Sequence, residues 1–302
     1  MKNAIKKFDY ISVLKYALLT ALYLLFSSIG NEVSPYSTSI LTASLYLGNS
    51  FFFTCFFYVI SFLILGKNEL FLSSLITCFF FAIVKILHKR ERFNSKFNYV
   101  VFCLLSLIGF ILTDTPSFDR NSKIIIVLLT TLLSYFTINA SSAITKKGLK
   151  IKYDYEELLS IFAVIVFLGL GVCNLLSPYV WKAITVFAIL LACYLLRIGL
   201  GTFLSVIFGI SFAIYYGKVE YVASTLLLGF IADGLNGISR YASSISILAV
   251  DYIIQLVFNV YGSYEIYDYL PPLISAILFI VIPNNPLSKL KERLYAFREK
   301  QL

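Results

Sequence analysis

Four polar side chains interrupt long apolar stretches of the sequence, and they are the residues with which this chain could do chemistry. Asp233, Asn236 and Arg240 are spaced so that they would share one face of a continuous helix. Asp251 follows Asp233 by eighteen residues, about five helical turns, and would lie on that same face. Because a charge at membrane depth costs a few kcal/mol unless it is paired or hydrated, these four residues are the candidate intramembrane sites.

Small residues divide this segment and predict that the helix breaks. Gly234, Gly237 and Ser239 lie between the polar residues, and a helix of about 31 residues would overshoot the hydrocarbon core. Arg240 then lies in a short inner turn, and Asp251 lies beside a neighbouring polar helix. Structural pairing is the preferred interpretation. A substrate or ion path, as in a secondary permease with an intramembrane Asp/Arg site, is the alternative.

The remaining residues show none of the patterns that catalysis or metal binding requires. The sequence has no Ser/His/Asp set, no nucleophile elbow and no carboxylate pair at a soluble face. Its five cysteines lie in apolar runs without CxxC spacing, and its one histidine, His88, stands beside Lys89 at a loop edge. No basic-aromatic platform for nucleic acid is present. We therefore predict no catalytic, cofactor-binding or metal-binding residue, no nucleic-acid partner and no enzymatic activity for this chain.

The C-terminal stretch 284–302 differs in kind from the rest of the sequence. Leu287, Leu290, Leu294 and Phe297 are spaced 3, 4 and 3 residues apart among charged residues, which is the a/d pattern of a coiled-coil seam. Two heptads are too few for a stable coiled coil alone. The pattern therefore predicts a cytoplasmic juxtamembrane amphipathic helix that self-associates, either as an interfacial helix or as the first turns of a signalling linker.

Composition places these elements in a membrane. Hydrophobic residues make up 59% of the 302 residues and charged residues only 14%, whereas soluble domains carry roughly 25% charged residues. The mean hydropathy is +0.86. A span needs about 20 mostly apolar residues, so the chain has room for many spans and little room for a soluble catalytic domain.

The apolar runs predict an all-α, polytopic integral membrane protein with about ten to twelve transmembrane helices. The run 37–47 is too short for an ordinary span, so it is either a thin crossing or half of a re-entrant hairpin with 50–66. The predicted transmembrane domain covers 1–283. Its candidate spans are 11–29, 37–47, 50–66, 70–88, 97–113, 122–144, 158–176, 181–198, 200–216, 221–237, 242–260 and 270–283.

Basic residues set the predicted orientation. Because Lys and Arg near span ends are retained in the cytoplasm, alternation from a cytoplasmic N-terminus places both termini inside. The net charge of +9 is then an orientation signal and an attraction to the anionic lipid of the bilayer. The inner clusters are Lys2/Lys6/Lys7/Lys15, Lys85/Lys89/Arg90/Arg92/Lys96, Lys146/Lys147/Lys150/Lys152 and Lys289/Lys291/Arg293/Arg298/Lys300. The basic residues predicted to face outwards are Lys67, Arg120, Lys123, Lys182 and Lys218.

Glycines recur in the second half of the chain. Small residues allow membrane helices to approach closely, so these glycines predict helix packing. They do not form a phosphate-binding loop, since none follows a strand or carries the required Lys-Ser/Thr. The glycines are Gly169, Gly171, Gly199, Gly201, Gly209, Gly217, Gly229, Gly234 and Gly237.

Several short motifs, taken in order, resemble the N-terminal membrane region of the stage II sporulation protein E family. Ser34-Pro35-Tyr36 opens a short helix near the N-terminus, and Tyr155-Glu156-Glu157-Leu158 is an acidic entry to a later helix. The glycine-spaced stretch 199–217 and the segment 229–240 follow, and Ile282-Pro283 then precedes the tail. The resemblance covers nearly the whole chain.

The resemblance implies a bacterial plasma-membrane anchor at the asymmetric division septum during sporulation. Such an anchor would localise and regulate a cytoplasmic serine phosphatase, contact cell-division proteins and help to activate a compartment-specific sigma factor. The phosphatase domain of the family is not within these 302 residues, so phosphatase activity is not expected of this chain.

Overall fold

The computed structural model is all α-helical over the residues that it describes, which confirms the predicted class. It describes residues 10–30, 34–66, 68–87, 95–113, 118–147, 153–195, 199–236, 238–258 and 266–299. The helices are α1 (Tyr10–Ser27), α2 (Ser37–Tyr46), α3 (Phe51–Ile64), α4 (Asn68–Leu87), α5 (Lys96–Ser106), α6 (Ile108–Leu112), α7 (Arg120–Lys147), α8 (Tyr155–Leu175), α9 (Pro178–Leu195), α10 (Leu200–Tyr216), α11 (Glu220–Asn236), α12 (Arg240–Phe258), α13 (Leu270–Val281) and α14 (Asn284–Glu299). A 3-10 helix, Ile266–Tyr269, precedes α13.

Each predicted apolar run coincides with a helix, except that 97–113 is divided between α5 and α6. Local signals explain the ends. Pro178 is the first residue of α9, where its missing N–H is tolerated. Ser95 caps α5 by accepting a hydrogen bond from the Asn98 amide at 3.3 Å. Gly217 ends α10 in the left-handed conformation, with φ of 67°, which other residues adopt at a cost.

Fewer helices meet the length and composition of a full membrane span than the sequence predicts. Three described helices do so: α7, α8 and α9. The pair α13 and α14, bent by 82° at its break, would form a fourth span if the two were counted together. Several other apolar helices have 10–17 residues, and they are shorter than the roughly 20 residues that an untilted crossing needs.

The chain forms two compact units. Unit 1 comprises residues 1–146 and 153–164, and unit 2 comprises 147–152 and 165–302. The helix α8 therefore begins in unit 1 and ends in unit 2.

In unit 1, α2 runs antiparallel to α1. The Ser27 hydroxyl at the end of α1 donates to the Ser37 hydroxyl at the start of α2 at 2.6 Å. Near the start of α1, the Lys15 ammonium donates to the side-chain oxygen of Asn49, just after α2, at 2.5 Å. Because Lys15 belongs to a predicted cytoplasmic cluster, α2 ends at the predicted inner face. The interpretation of 37–47 as a thin crossing or as half of a re-entrant hairpin stays a prediction, since α2 has ten residues, about 15 Å of helix.

Hydroxyl groups hold α2 inside unit 1. Its residues from Ser37 to Ser44 are all buried. The Thr38 hydroxyl hydrogen bonds with the Tyr58 hydroxyl of α3 at 2.8 Å, and Thr137 of α7 donates to the Ser39 carbonyl at 2.9 Å. Small and hydroxyl-bearing residues are the groups that join helices in lipid, where no hydrophobic gradient drives packing.

One basic residue that was predicted on the outer side of the membrane is buried in unit 1. Lys123, near the start of α7, is 7% exposed. Its ammonium donates to the Thr113 carbonyl at 2.7 Å, which lies at the open C-terminal end of α6. Cations stabilise such ends because the last carbonyls of a helix carry partial negative charge. Lys123 is therefore held within unit 1, while its place on the outer side of the membrane stays a prediction.

Unit 2 packs its helices through some of the predicted glycines. A side-chain carbon at Gly209 of α10 would lie 2.9 Å from the backbone of Val222, and one at Gly229 of α11 would lie 3.0 Å from the backbone of Thr202. A side-chain carbon at Gly169 would lie 2.5 Å from the Trp181 ring, and one at Gly201 would lie still closer to the Cys193 sulfur. These four glycines confirm the packing prediction. Those that have open space around them do not, and these are Gly199, Gly217 and Gly234. Gly237 lies outside the described residues.

Candidate functional site

Asp233 closes the N-terminal end of a neighbouring helix. Its Oδ2 accepts hydrogen bonds from the Gly199 amide at 3.1 Å, the Thr202 amide at 2.7 Å and the Thr202 hydroxyl at 2.7 Å. These donors belong to the start of α10, where the first amides have no partner within the helix and carry partial positive charge. Asp233 is only 4% exposed. Its carboxylate therefore acts as an N-cap supplied by α11 rather than by α10 itself.

Asn236 and Arg240 close two C-terminal ends at the same end of unit 2. The Asn236 amide donates to the Cys193 carbonyl near the end of α9 at 2.5 Å. The Arg240 guanidinium donates to the carbonyls of Ile280 and Ile282, at the end of α13, at 2.9 and 2.8 Å. A cation at a helix C-terminus is favourable because it satisfies orphan carbonyls and opposes the negative end of the dipole. We call Asp233, Asn236 and Arg240 the helix-end cluster.

The chain breaks where the glycines and serine predict a break. The helix α11 ends at Asn236 and α12 begins at Arg240, so the three residues of the helix-end cluster reach three different helix ends instead of sharing one face. Asp251 does not join them. It lies eleven residues beyond Arg240 in α12, about 16 Å along the helix axis.

Asp251 forms a buried ion pair with Lys182 of α9. The Lys182 ammonium lies 2.9 Å from Asp251 Oδ2, and it also donates to the Asp268 carbonyl at 3.1 Å. The Gln255 amide donates to the same Asp251 oxygen at 2.5 Å. Lys182 is 4% exposed and Asp251 is 2% exposed. Each ion thus receives its opposite charge and a further hydrogen bond, which is the condition for tolerating both in an apolar interior.

Three residues that surround Asp251 are not identified as its partners by the sequence pattern alone. Lys182, predicted on the outer side of the membrane, was not recognised as the partner of Asp251, because the two residues belong to different helices, α9 and α12. Gln255 and Asp268 were not singled out. One local signal was available, since Gln255 follows Asp251 by one helical turn and shares its face.

The amphipathic tail is only partly open to partners. Leu287 is buried, at 5% exposure, whereas Leu290 is 42% exposed. The helix α14 packs on α9, and the Lys291 ammonium lies 5.0 Å from the ring centroid of Tyr194, within cation–π range. The side chains of Leu294 and Phe297 lie outside the described part of the chain. Of the two tail leucines whose side chains are described, only Leu290 is therefore exposed for association with a partner.

These arrangements hold helices together rather than arranging a reaction. Over the described residues, no group of three or more His, Cys, Asp or Glu residues could hold a metal ion. The helix-end cluster provides hydrogen-bond partners for backbone groups at helix ends. In the ion pair, Lys182 and Asp251 neutralise each other's charge. The described polar groups of these two sites take part in charge pairing and helix capping.

Comparison with known proteins adds no relative. A scan against protein-family models, a search of curated proteins and a search of solved structures each found no match.

Proposed function

We propose that the chain is a polytopic membrane anchor and assembly module, with about ten to twelve crossings and both termini in the cytoplasm. The apolar helices and their alternation support the membrane placement. The basic clusters at alternate breaks support the orientation, since such residues resist translocation. The shorter helices would cross with help from neighbouring residues or from local bilayer thinning.

The observation that carries this proposal is that the intramembrane polar groups bind other parts of the chain itself. Asp233, Asn236 and Arg240 each bind the backbone at the end of another helix. Asp251 is neutralised by Lys182. A transport site needs polar groups that are free to exchange partners with a substrate. Groups engaged with the protein's own helix ends favour a stable scaffold. Among the described residues, the buried Asp233 Oδ1 and Arg240 Nε atoms have no hydrogen-bond partner, and the secondary-permease alternative depends on them.

The tail is the proposed output element of the anchor. It turns sharply away from α13, by 82°, and its first apolar residue, Leu287, is buried within the chain. A movement of α9 would therefore be transmitted to α14. Following the resemblance to the sporulation protein E family, the proposed partner is a cytoplasmic serine phosphatase at the asymmetric septum, together with cell-division proteins.

A fluorescent fusion tests the orientation and the location together. Green fluorescent protein fused after Leu302 should fluoresce, because that protein matures in the cytoplasm, and the signal should concentrate at the asymmetric septum of sporulating cells. Membrane fractionation of the same cells provides the control for insertion. A membrane-inserted fusion without fluorescence would contradict the cytoplasmic C-terminus, and an even distribution around the cell would contradict the septal role.

Cysteine crosslinking tests the assembly function. In a chain whose five native cysteines have been replaced, Leu290→Cys should give a disulfide-linked dimer when membranes are oxidised, since this position is exposed on the tail. Leu287→Cys is the matched control and should give little dimer, because its side chain is buried against its own chain. Equal crosslinking at both positions, or none at Leu290→Cys, would contradict pairing through the tail.

A further inference from the structure

Unit 1 contains a cavity of about 260 Å³ that is lined by both polar and apolar residues. Its polar lining includes Asn49, Ser50 and Lys85, and its apolar lining includes Leu45, Phe81 and Val84. The cavity lies where α2 ends, α3 begins and α4 approaches its end. Neither the helix-end cluster nor the buried ion pair contributes to it, since both belong to unit 2.

Two lysines from different helices flank this cavity. The Lys85 ammonium of α4 lies 5.2 Å from the ring centroid of Phe51, which also lines the cavity. The Lys15 ammonium of α1 holds the side-chain oxygen of Asn49 at 2.5 Å. Both lysines are exposed, and both belong to the clusters predicted to face the cytoplasm. The cavity therefore opens at the predicted inner surface, where the leaflet carries anionic lipid.

The lining indicates an anionic and amphiphilic ligand. Ammonium groups and hydroxyls are the groups with which proteins hold phosphate oxygens. The Ser50 hydroxyl is available, because it makes no capping bond to the helix that it precedes. The apolar lining includes buried side chains, with Phe81 at 1% exposure and Val84 at 6%. A free phosphate ion would leave this apolar wall unused.

The volume of the cavity limits the size of the ligand that it can hold. Pockets for drug-sized ligands have about 300–1,000 Å³, so a cavity of 260 Å³ suits a smaller group. We propose that this cavity binds the phosphate headgroup of an anionic phospholipid of the cytoplasmic leaflet. Lys85 contacts the phosphate, Lys15 positions Asn49, and the start of one acyl chain lies along Leu45, Phe81 and Val84. The proposal rests on the membrane placement of the chain and not on the phosphatase partner.

Lipid titration of the purified full chain tests the site. Phosphatidylglycerol is added to the protein in detergent, and bound lipid is counted by native mass spectrometry. Removal of one lysine near a phosphate is expected to weaken binding about fivefold, so the dissociation constant should rise by that factor in Lys85→Gln. Leu45→Trp fills the cavity without changing its charge, and it should also abolish the binding of phosphatidylglycerol to this site.

Matched controls separate the cavity from general surface charge. Lys289→Gln removes an exposed lysine from α14 on the same predicted face, and it should leave the titration unchanged. Wild-type affinity in Lys85→Gln, or equal weakening in Lys289→Gln, would overturn the site. Displacement of the lipid by millimolar inorganic phosphate would overturn the lipid assignment, and equal binding of phosphatidylcholine would overturn the requirement for an anion. A chain that binds lipid but does not reach the septum would contradict the septal proposal alone.

Discussion

Replacing Asp251 with alanine should lower the free energy of unfolding by about 3–5 kcal/mol, because the Lys182 ammonium would remain buried without its counter-ion. Lys182 is 4% exposed, so water cannot readily replace the lost carboxylate. Lys182→Ala should cost a similar amount by leaving Asp251 unpaired. Unfolding in detergent can be followed by the fluorescence of Trp181, the one tryptophan of the chain, which precedes Lys182.

A double variant distinguishes the ion pair from simple packing. Lys182→Met combined with Asp251→Leu removes both charges and keeps apolar volume, and such replacements are often neutral or stabilising. The double variant should therefore be more stable than either single alanine variant. Lys218→Ala removes an exposed lysine and should change the free energy of unfolding by less than about 0.5 kcal/mol. Single variants that cost under about 1 kcal/mol would show that the pair does not hold α9 to α12.

The helix boundaries were predictable because local chemistry specifies them. The run predicted at 200–216 coincides with α10, since Gly199 and Gly217 on either side both adopt left-handed backbone conformations. Pro178 likewise starts α9. The break between Asn236 and Arg240 was also predictable from Gly234, Gly237 and Ser239. In each case the deciding residues lie within a few positions of the helix end, so the sequence alone carries the information.

Polar partners were not predictable, because they are distant in sequence. Lys182 and Asp251 are separated by 69 residues, and Asp233 and Thr202 by 31 residues. Position along the sequence suggests the membrane depth of a charge, but not which helix faces it. This is why the sequence predicted structural pairing for Asp233, Asn236, Arg240 and Asp251 but not the helix ends and the lysine that they contact.

The tail shows the same limit for an apolar pattern. The spacing of Leu287 and Leu290 predicts one apolar stripe, and α14 is a helix as that pattern requires. Spacing does not reveal what covers the stripe. The chain's own helices bury Leu287 and leave Leu290 exposed, so two neighbours in one heptad have different surroundings.

Two Gly→Ala variants in unit 2 should differ in their effect on the free energy of unfolding. Gly209→Ala should lower the free energy of unfolding by about 1–3 kcal/mol, the usual cost of overpacking. The added carbon would lie 2.9 Å from the Val222 Cα atom, which is backbone and cannot rotate aside, so α10 and α11 must separate. Thermal unfolding in detergent, followed by Trp181 fluorescence, measures the loss.

Gly234→Ala is the matched control within α11. Nothing lies within 4 Å of the carbon that it would add. Alanine is also the better helix former by roughly 0.5–1 kcal/mol, so this variant should keep or raise the stability. Because both variants gain the same helix propensity, the difference between them isolates the contact of α10 with α11. Equal effects of the two substitutions would contradict close packing at Gly209, and destabilisation by Gly234→Ala alone would reverse the assignment of the two glycines.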